Sequence, residues 1–251
     1  MNENNNINNN INHNTQSNEF PKLVLSGFVS GFVSSFLCHP LESLKINSQY
    51  SHYSKYSYYS KGIKEIKGTI SKGCIISPIS YGLHYSIYYT IYSVLKENNC
   101  SPFISGFIAQ GISSNILNPL WIIRTQRMAG IEYSIIKKNI INNYSLGRSI
   151  IPNTIMGLQS GITFSIIENL LLLKLDPIKS SFIGKTLSSV ILYPVDTFRN
   201  NSRIDTSEKL SSIFKTILKN KGFYNGLVYH LLKSVPAFVI TNTIFEKLKY
   251  Y

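Results

Sequence analysis

The feature that most constrains this chain is a proline-ended segment that occurs three times. Gly27-Phe-Val-Ser-Gly-Phe-Val-Ser-Ser-Phe-Leu-Cys-His-Pro40, Gly106-Phe-Ile-Ala-Gln-Gly-Ile-Ser-Ser-Asn-Ile-Leu-Asn-Pro119 and Ser181-Phe-Ile-Gly-Lys-Thr-Leu-Ser-Ser-Val-Ile-Leu-Tyr-Pro194 align without a gap. Their prolines lie 79 and 75 residues apart, and Phe, a Ser-Ser pair and Pro recur in register. Self-similarity at a fixed period marks an architecture of stacked units, each burying its apolar face against its neighbours. The expected division is three repeats, 20–100, 101–176 and 177–251, behind an Asn-rich segment, 1–19.

Each repeat holds two apolar stretches. The first members run over 23–39, 102–123 and 178–193, the second over 73–95, 149–173 and 227–245. Several are free of charge and long enough to cross a hydrocarbon core, which takes about 20 helical residues. Lys-rich linkers, 50–72, 127–148 and 200–221, separate the members of each pair. Six spans put both termini on one side and all three linkers on the other. Small residues four apart, Ser26 with Ser30, Gly27 with Gly31, Ser105 with Ala109 and Ser180 with Gly184, supply the close-approach surfaces that membrane helices use to associate.

After each proline the chain reads Pro40-Leu-Glu42-Ser-Leu-Lys45, Pro119-Leu-Trp121-Ile-Ile-Arg124 and Pro194-Val-Asp196-Thr-Phe-Arg199. An acid and a base three apart share one helix face. A proline inside a helix removes a backbone hydrogen bond and bends it. Three such helices about a common axis bring the charges together at one end, where pairs between helices can close a path reversibly. The middle copy has Trp121 in place of the acid, so two acids face three bases and two direct pairs are the limit.

This pattern resembles the mitochondrial carrier family, and the resemblance covers 20–251. It implies an all-α membrane protein of three tandem two-helix repeats, with six transmembrane helices around a central cavity and short helices in the linkers. It also implies alternating access, with Glu42, Lys45, Arg124, Asp196 and Arg199 as the matrix-side gate, the three prolines and Trp121 in its frame, and Gln49 as its brace. A Gly-aromatic-basic-Gly element is matched by Gly222-Phe-Tyr-Asn225-Gly226, with Asn in the basic place; Lys67-Gly68 and Leu146-Gly147-Arg148 are poorer copies. The family's outer gate has the form aromatic-acid-x-x-base. Phe245-Glu246-x-x-Lys249 fits it, Glu168 has Leu171 where a base belongs, and the first repeat offers Tyr88 and Tyr89 without an acid.

Solute contacts in the family lie midway along the even helices. Carried over, they fall at Ile75, Ile76 and Ser80, at Met156 and Gly157, and at Lys233. A mid-membrane Lys is unfavourable by roughly 2.5–3.5 kcal/mol on insertion scales unless it faces a cavity or snorkels to the interface. Lys185, where the sister repeats have Gly31 and Gln110, poses the same choice. Trp121 resembles the branch that carries nucleotides and nucleotide-like cofactors; the other reading is a bulky plug where an ion pair is missing.

A net charge of +13 suits an anionic solute or anionic lipid, cardiolipin included. The five histidines and three cysteines form no metal, triad or phosphate-loop motif. No enzyme, cofactor or metal is expected, and no nucleic-acid partner, because the basic residues sit in linkers between apolar spans. The N-terminal 19 residues are half Asn and lack Lys and Arg; they read as an unstructured tail without a targeting pattern. The resulting expectation is a monomeric exchanger of a solute against a counter-solute in the mitochondrial inner membrane, with a peroxisome or reduced mitochondrion as other locations. The competing reading is a carrier-fold adaptor that no longer transports.

Overall fold

The computed structural model describes residues 3–51, 72–142, 145–206 and 208–250; the side chains of 3–19, 51, 142, 145, 249 and 250 lie outside that description. In chain order the helices are α1 (Glu3–Ser51), α2 (Ile76–Glu97), α3 (Pro102–Ile116), α4 (Asn118–Met128), α5 (Tyr133–Asn142), α6 (Ser145–Arg148), α7 (Ile150–Ile155), α8 (Gly157–Leu172), α9 (Pro177–Ile204), α10 (Leu210–Lys219) and α11 (Leu227–Tyr250). No strand occurs among the described residues. The long helices pack as a closed ring, α1 on α2, α2 on α3, α3 on α8, α8 on α9, α9 on α11, and α11 back on α1. The all-helical carrier fold expected from the repeat is therefore the fold observed.

Close packing in this ring is made by glycine. A Cβ added at Gly27 would stand 2.7 Å from the Tyr85 carbonyl oxygen, and one at Gly31 2.5 Å from that of Tyr81. No side chain fits there, so α1 and α2 touch backbone to backbone. The recurring Ser-Ser pairs bind the seams between neighbouring helices. Thr241 Oγ1 on α11 donates to Ser34 at 2.7 Å, Gln159 Nε2 on α8 donates to Ser189 at 2.9 Å, and the hydroxyls of Thr163 and Ser188 lie 2.6 Å apart.

The ring is apolar outside and polar inside. Phe36, Leu37, Leu172, Ile191 and Val228 are exposed, while Ser30, Ser77, Ser113, Asn153, Gln126 and Thr241 are buried. That inversion suits a lipid exterior and a hydrated interior. It also explains why three segments, Phe20–Tyr50, Leu146–Leu172 and Gly222–Leu248, are apolar enough by themselves to cross a membrane, where the sequence suggests six spans. The remainder include α2, rich in Tyr and Ser, and α9, which carries Lys179, Lys185, Asp196, Arg199 and Arg203.

Two expectations are corrected in detail, both in the middle repeat, while helix α1 begins at Glu3. The middle repeat breaks both of its spans. Its first span stops at Leu117 and restarts at Asn118 with Pro119 in the first turn, a position where the missing N–H leaves no bond unmade. Its second span is divided at Met156 into α7 and α8. In contrast, Pro40 and Pro194 lie inside continuous helices. Linker helices are present as α5 and α10, whereas most of the first linker, with Lys67-Gly68, lies outside the described residues.

Candidate functional site

The three proline motifs converge at one end of the ring. Glu42 on α1 is ion-paired with Arg124 on α4. Lys45 on α1 lies 2.5 Å from Asp196 on α9. Arg199 has no acid to meet on α4, because Trp121 stands there, and turns back to Asp196 of its own helix at 2.5 Å. The geometry follows the spacing: acid and base three apart lie on one face, so each helix can reach both neighbours. Gln49 lies against the Lys45–Asp196 pair. Its Nε2 donates to Tyr193 Oη at 3.1 Å, to Thr197 at 3.2 Å and to Asp196 at 3.4 Å, while its oxygen accepts from Asn200 at 2.9 Å. The hydroxyls of Tyr193 and Thr197 donate onward to the Asn225 and Phe223 carbonyls, at 2.7 and 2.8 Å, in the Gly222–Gly226 element.

Lys233 joins this cluster. Its Nζ donates to Glu42 Oε1 at 3.1 Å and to Tyr81 Oη at 2.6 Å, and Tyr81 in turn donates to Glu42 at 2.8 Å. Glu42 thus serves two bases from two repeats. The Tyr81 ring lies 4.7 Å from the Arg124 guanidinium and 4.4 Å from the Lys233 ammonium, and Trp121 meets it edge-on at 5.0 Å. His84 also meets Trp121 edge-on, at 5.4 Å, with its Nε2 3.3 Å from the Gln110 amide oxygen.

These residues line a cavity of about 120 Å³ that also touches Tyr85, Met156, Gln159, Lys185, Arg203 and His230. Its wall carries six bases, Lys45, Arg124, Lys185, Arg199, Arg203 and Lys233, against two acids, Glu42 and Asp196. Of the solute contacts carried over from the family pattern, Met156 and Lys233 line this cavity, and Lys185, singled out by its unusual position, lines it too. Ile75 does not; it is 72% exposed in the turn before α2. Ile76 is half-buried off the cavity, Ser80 spends its hydroxyl on the Ile76 carbonyl at 2.7 Å, and Gly157 packs on the Phe107 backbone. The α2 residues that do reach the cavity are Tyr81, His84 and Tyr85, which begin one residue beyond Ser80.

At the opposite end the ring narrows on aromatic side chains. Tyr89 of the first repeat stacks on Phe245 of the third at 3.8 Å, and its hydroxyl donates to Asn242 at 2.5 Å. Tyr92 and Tyr88 pack on Phe164 of the second repeat at 4.6 and 6.2 Å, and Phe164 meets Phe238 of the third at 5.9 Å. Beyond this layer opens a vestibule of about 900 Å³ lined by Tyr89, Tyr92, Phe164, Glu168, Phe245 and Glu246 among others. One ion pair spans it among the described residues, Lys96–Glu168 at 3.5 Å, with both side chains over a third exposed. Glu246 faces the vestibule, and the Lys249 side chain lies outside the described residues. Lys96 shows where the first copy of the outer motif sits. Tyr92-Ser93-Val-Leu-Lys96 has the aromatic and the base in place with Ser for the acid, so the register is later than the one set on Tyr88 and Tyr89.

Comparison with known proteins agrees with this geometry. The family model described as "Mitochondrial carrier protein" matches residues 175–251, the third repeat. The mitochondrial FAD carrier protein of Saccharomyces cerevisiae is 22% identical over 84% of this chain and 91% of its own. A mitochondrial substrate carrier family protein (M) of Dictyostelium discoideum is 28% identical over 75% of this chain and 76% of its own. The mitochondrial nicotinamide adenine dinucleotide transporter 2 of Arabidopsis thaliana is 24% identical over 66% of this chain and 58% of its own. With its proline motifs meeting at one end of a six-membered helical ring, the chain is similar to the mitochondrial carrier family, whose model it matches over the third repeat.

Proposed function

We propose that this carrier exchanges a nucleotide-like cofactor, a dinucleotide in class, across the mitochondrial inner membrane by alternating access. The observation that carries the reading is the cavity wall. Six bases against two acids leave four positive charges facing a small space beside the rings of Tyr81, His84, Tyr85 and Trp121. Phosphates satisfy the first feature and a base ring the second. A keto acid or amino acid answers only part of it. Relatives named for FAD and nicotinamide adenine dinucleotide point the same way.

The motif residues act as the matrix gate in this reading, and Lys233 links gate to solute. Lys233 stands 3.1 Å from Glu42, so a solute anion that draws Lys233 away weakens the Glu42 cluster at the same moment. A ligand drives a switch only through its different affinity for the two states; Lys233 supplies that difference.

The test is reconstitution in liposomes, with uptake of labelled NAD and FAD measured against internal nucleotides, carboxylates and amino acids. Saturable exchange of a dinucleotide that Lys233→Glu abolishes supports the reading. Exchange confined to carboxylates or amino acids overturns it. No exchange from folded protein favours the non-transporting adaptor.

A further inference from the structure

The seam between α4 and α9 is the one at which the ring of motif charges has no cross-pair. Trp121 occupies the acid position, and Arg199 bonds within its own helix, leaving its Nε without a partner. One turn further on α9 stands Arg203, nine residues past Pro194, where the first repeat has Gln49 nine residues past Pro40. Arg203 is 3% exposed. Its Nη2 donates to the neutral amide oxygen of Asn153 at 2.7 Å, its Nε has no partner, and no acid pairs with it among the described residues. A buried guanidinium without a counter-ion is strongly disfavoured unless something else compensates its charge. Both arginines line the central cavity, as does Lys185, which makes no ion pair among the described residues.

From this geometry we infer that the α4–α9 seam is a phosphate-type anion site, held by Arg199 and Arg203, in which a phosphate group of the solute takes the place of the carboxylate that Trp121 displaces. Guanidinium forks match phosphate oxygens in pairs of N–H donors, and the two arginines four apart share a helix face. The cavity of about 120 Å³ is below the roughly 300–1,000 Å³ of sites that enclose a whole ligand. It therefore admits a phosphoryl or diphosphate moiety, not an entire nucleotide, while both ends are closed. The solute then completes the third seam of the gate with its own charge. The ligand class rests on the cofactor reading above.

The test is thermal unfolding of the full chain in phosphatidylcholine nanodiscs at constant ionic strength, with inorganic pyrophosphate as the probe and adenosine as the phosphate-free control. Near-saturating pyrophosphate is expected to raise Tm by about 3 °C, and adenosine not to. Arg203→Gln, which keeps a donor for Asn153, is expected to lose the shift. Trp121→Glu is expected to lose it as well, since the restored acid pairs with Arg199; this variant decides the matter if Arg203→Gln does not fold. A wild-type shift that persists in Trp121→Glu overturns the site, as does the absence of any wild-type shift. The two proposals fail separately. Pyrophosphate stabilisation without dinucleotide exchange leaves the site and sinks the cofactor reading. Dinucleotide exchange undiminished in Arg203→Gln, with no pyrophosphate shift, leaves the reading and sinks the site.

Discussion

The two ends of the helix ring are closed by different physics. At the inner end, buried charges from three repeats meet across short distances, with Glu42 serving Arg124 and Lys233, and Asp196 serving Lys45 and Arg199. At the outer end, Tyr88, Tyr89, Tyr92, Phe164, Phe238 and Phe245 form the contact, and the one described ion pair, Lys96–Glu168, is largely exposed. Charges separated from water interact strongly but lose heavily if one partner goes. Aromatic pairs contribute less each, about 0.5–1.5 kcal/mol beyond area burial, and do not depend on salt. On the function proposed above, an anionic solute competes for the charged closure and leaves the aromatic one untouched, so the two ends would answer to separate triggers.

Four measurements break or sharpen this contrast. The largest effect is expected for Glu42→Gln, which leaves Arg124 and Lys233 buried without their carboxylate and lowers unfolding stability by about 3–5 kcal/mol in nanodiscs. A loss under about 1 kcal/mol means that the ion pairs do not hold the inner end. Next comes Phe245→Ala, which removes the ring stacked on Tyr89; about 3 kcal/mol is expected, equal at low and high salt. A marked salt dependence there breaks the distinction between the ends. Lys233→Gln is expected to leave the fold intact, because Arg124 still serves Glu42, and to cut exchange tenfold or more, about 1.4 kcal/mol in the barrier. Full exchange in that variant removes Lys233 from the solute path. The smallest effect belongs to Lys96→Gln, within about 0.2–1 kcal/mol and vanishing in high salt, because an exposed pair is screened.

How much of this was legible in the sequence differed by end. The inner cluster was, because acid, base and proline keep fixed short spacings within one helix, and Trp121 announced the missing pair. Arg199 turning back to Asp196 follows from the same substitution. The Lys233–Glu42 contact was not legible, since the two residues are 191 positions apart and meet only once the ring closes. At the outer end Tyr88 and Tyr89, offered by the sequence without an acid, do join the aromatic layer, while the motif spacing itself recurs four residues on, from Tyr92 to Lys96. Of the solute positions expected on α2, Ile75 lands on an exposed turn, while Tyr81 and His84, whose chemistry the family pattern does not mark, face the cavity. The sequence suggests six spans by apolar length, whereas among the described residues three segments, Phe20–Tyr50, Leu146–Leu172 and Gly222–Leu248, are long and apolar enough by themselves to cross a membrane.

The intrahelical bond between Arg199 and Asp196 has a consequence for how the ring comes apart. A lock with three equal bolts has no first bolt. Here two seams are fastened by ion pairs between helices, while the third is held by a neutral bond from the Gln126 amide to the Arg203 carbonyl at 2.8 Å. Under the proposed alternating access, the α4–α9 seam is then the one expected to part first, and it lies beside the helix break at Leu117, the middle repeat's interruption at the point where its sisters run straight through. Opening on that proposal is directional, like a door hung on two sides, and not the even dilation of an iris.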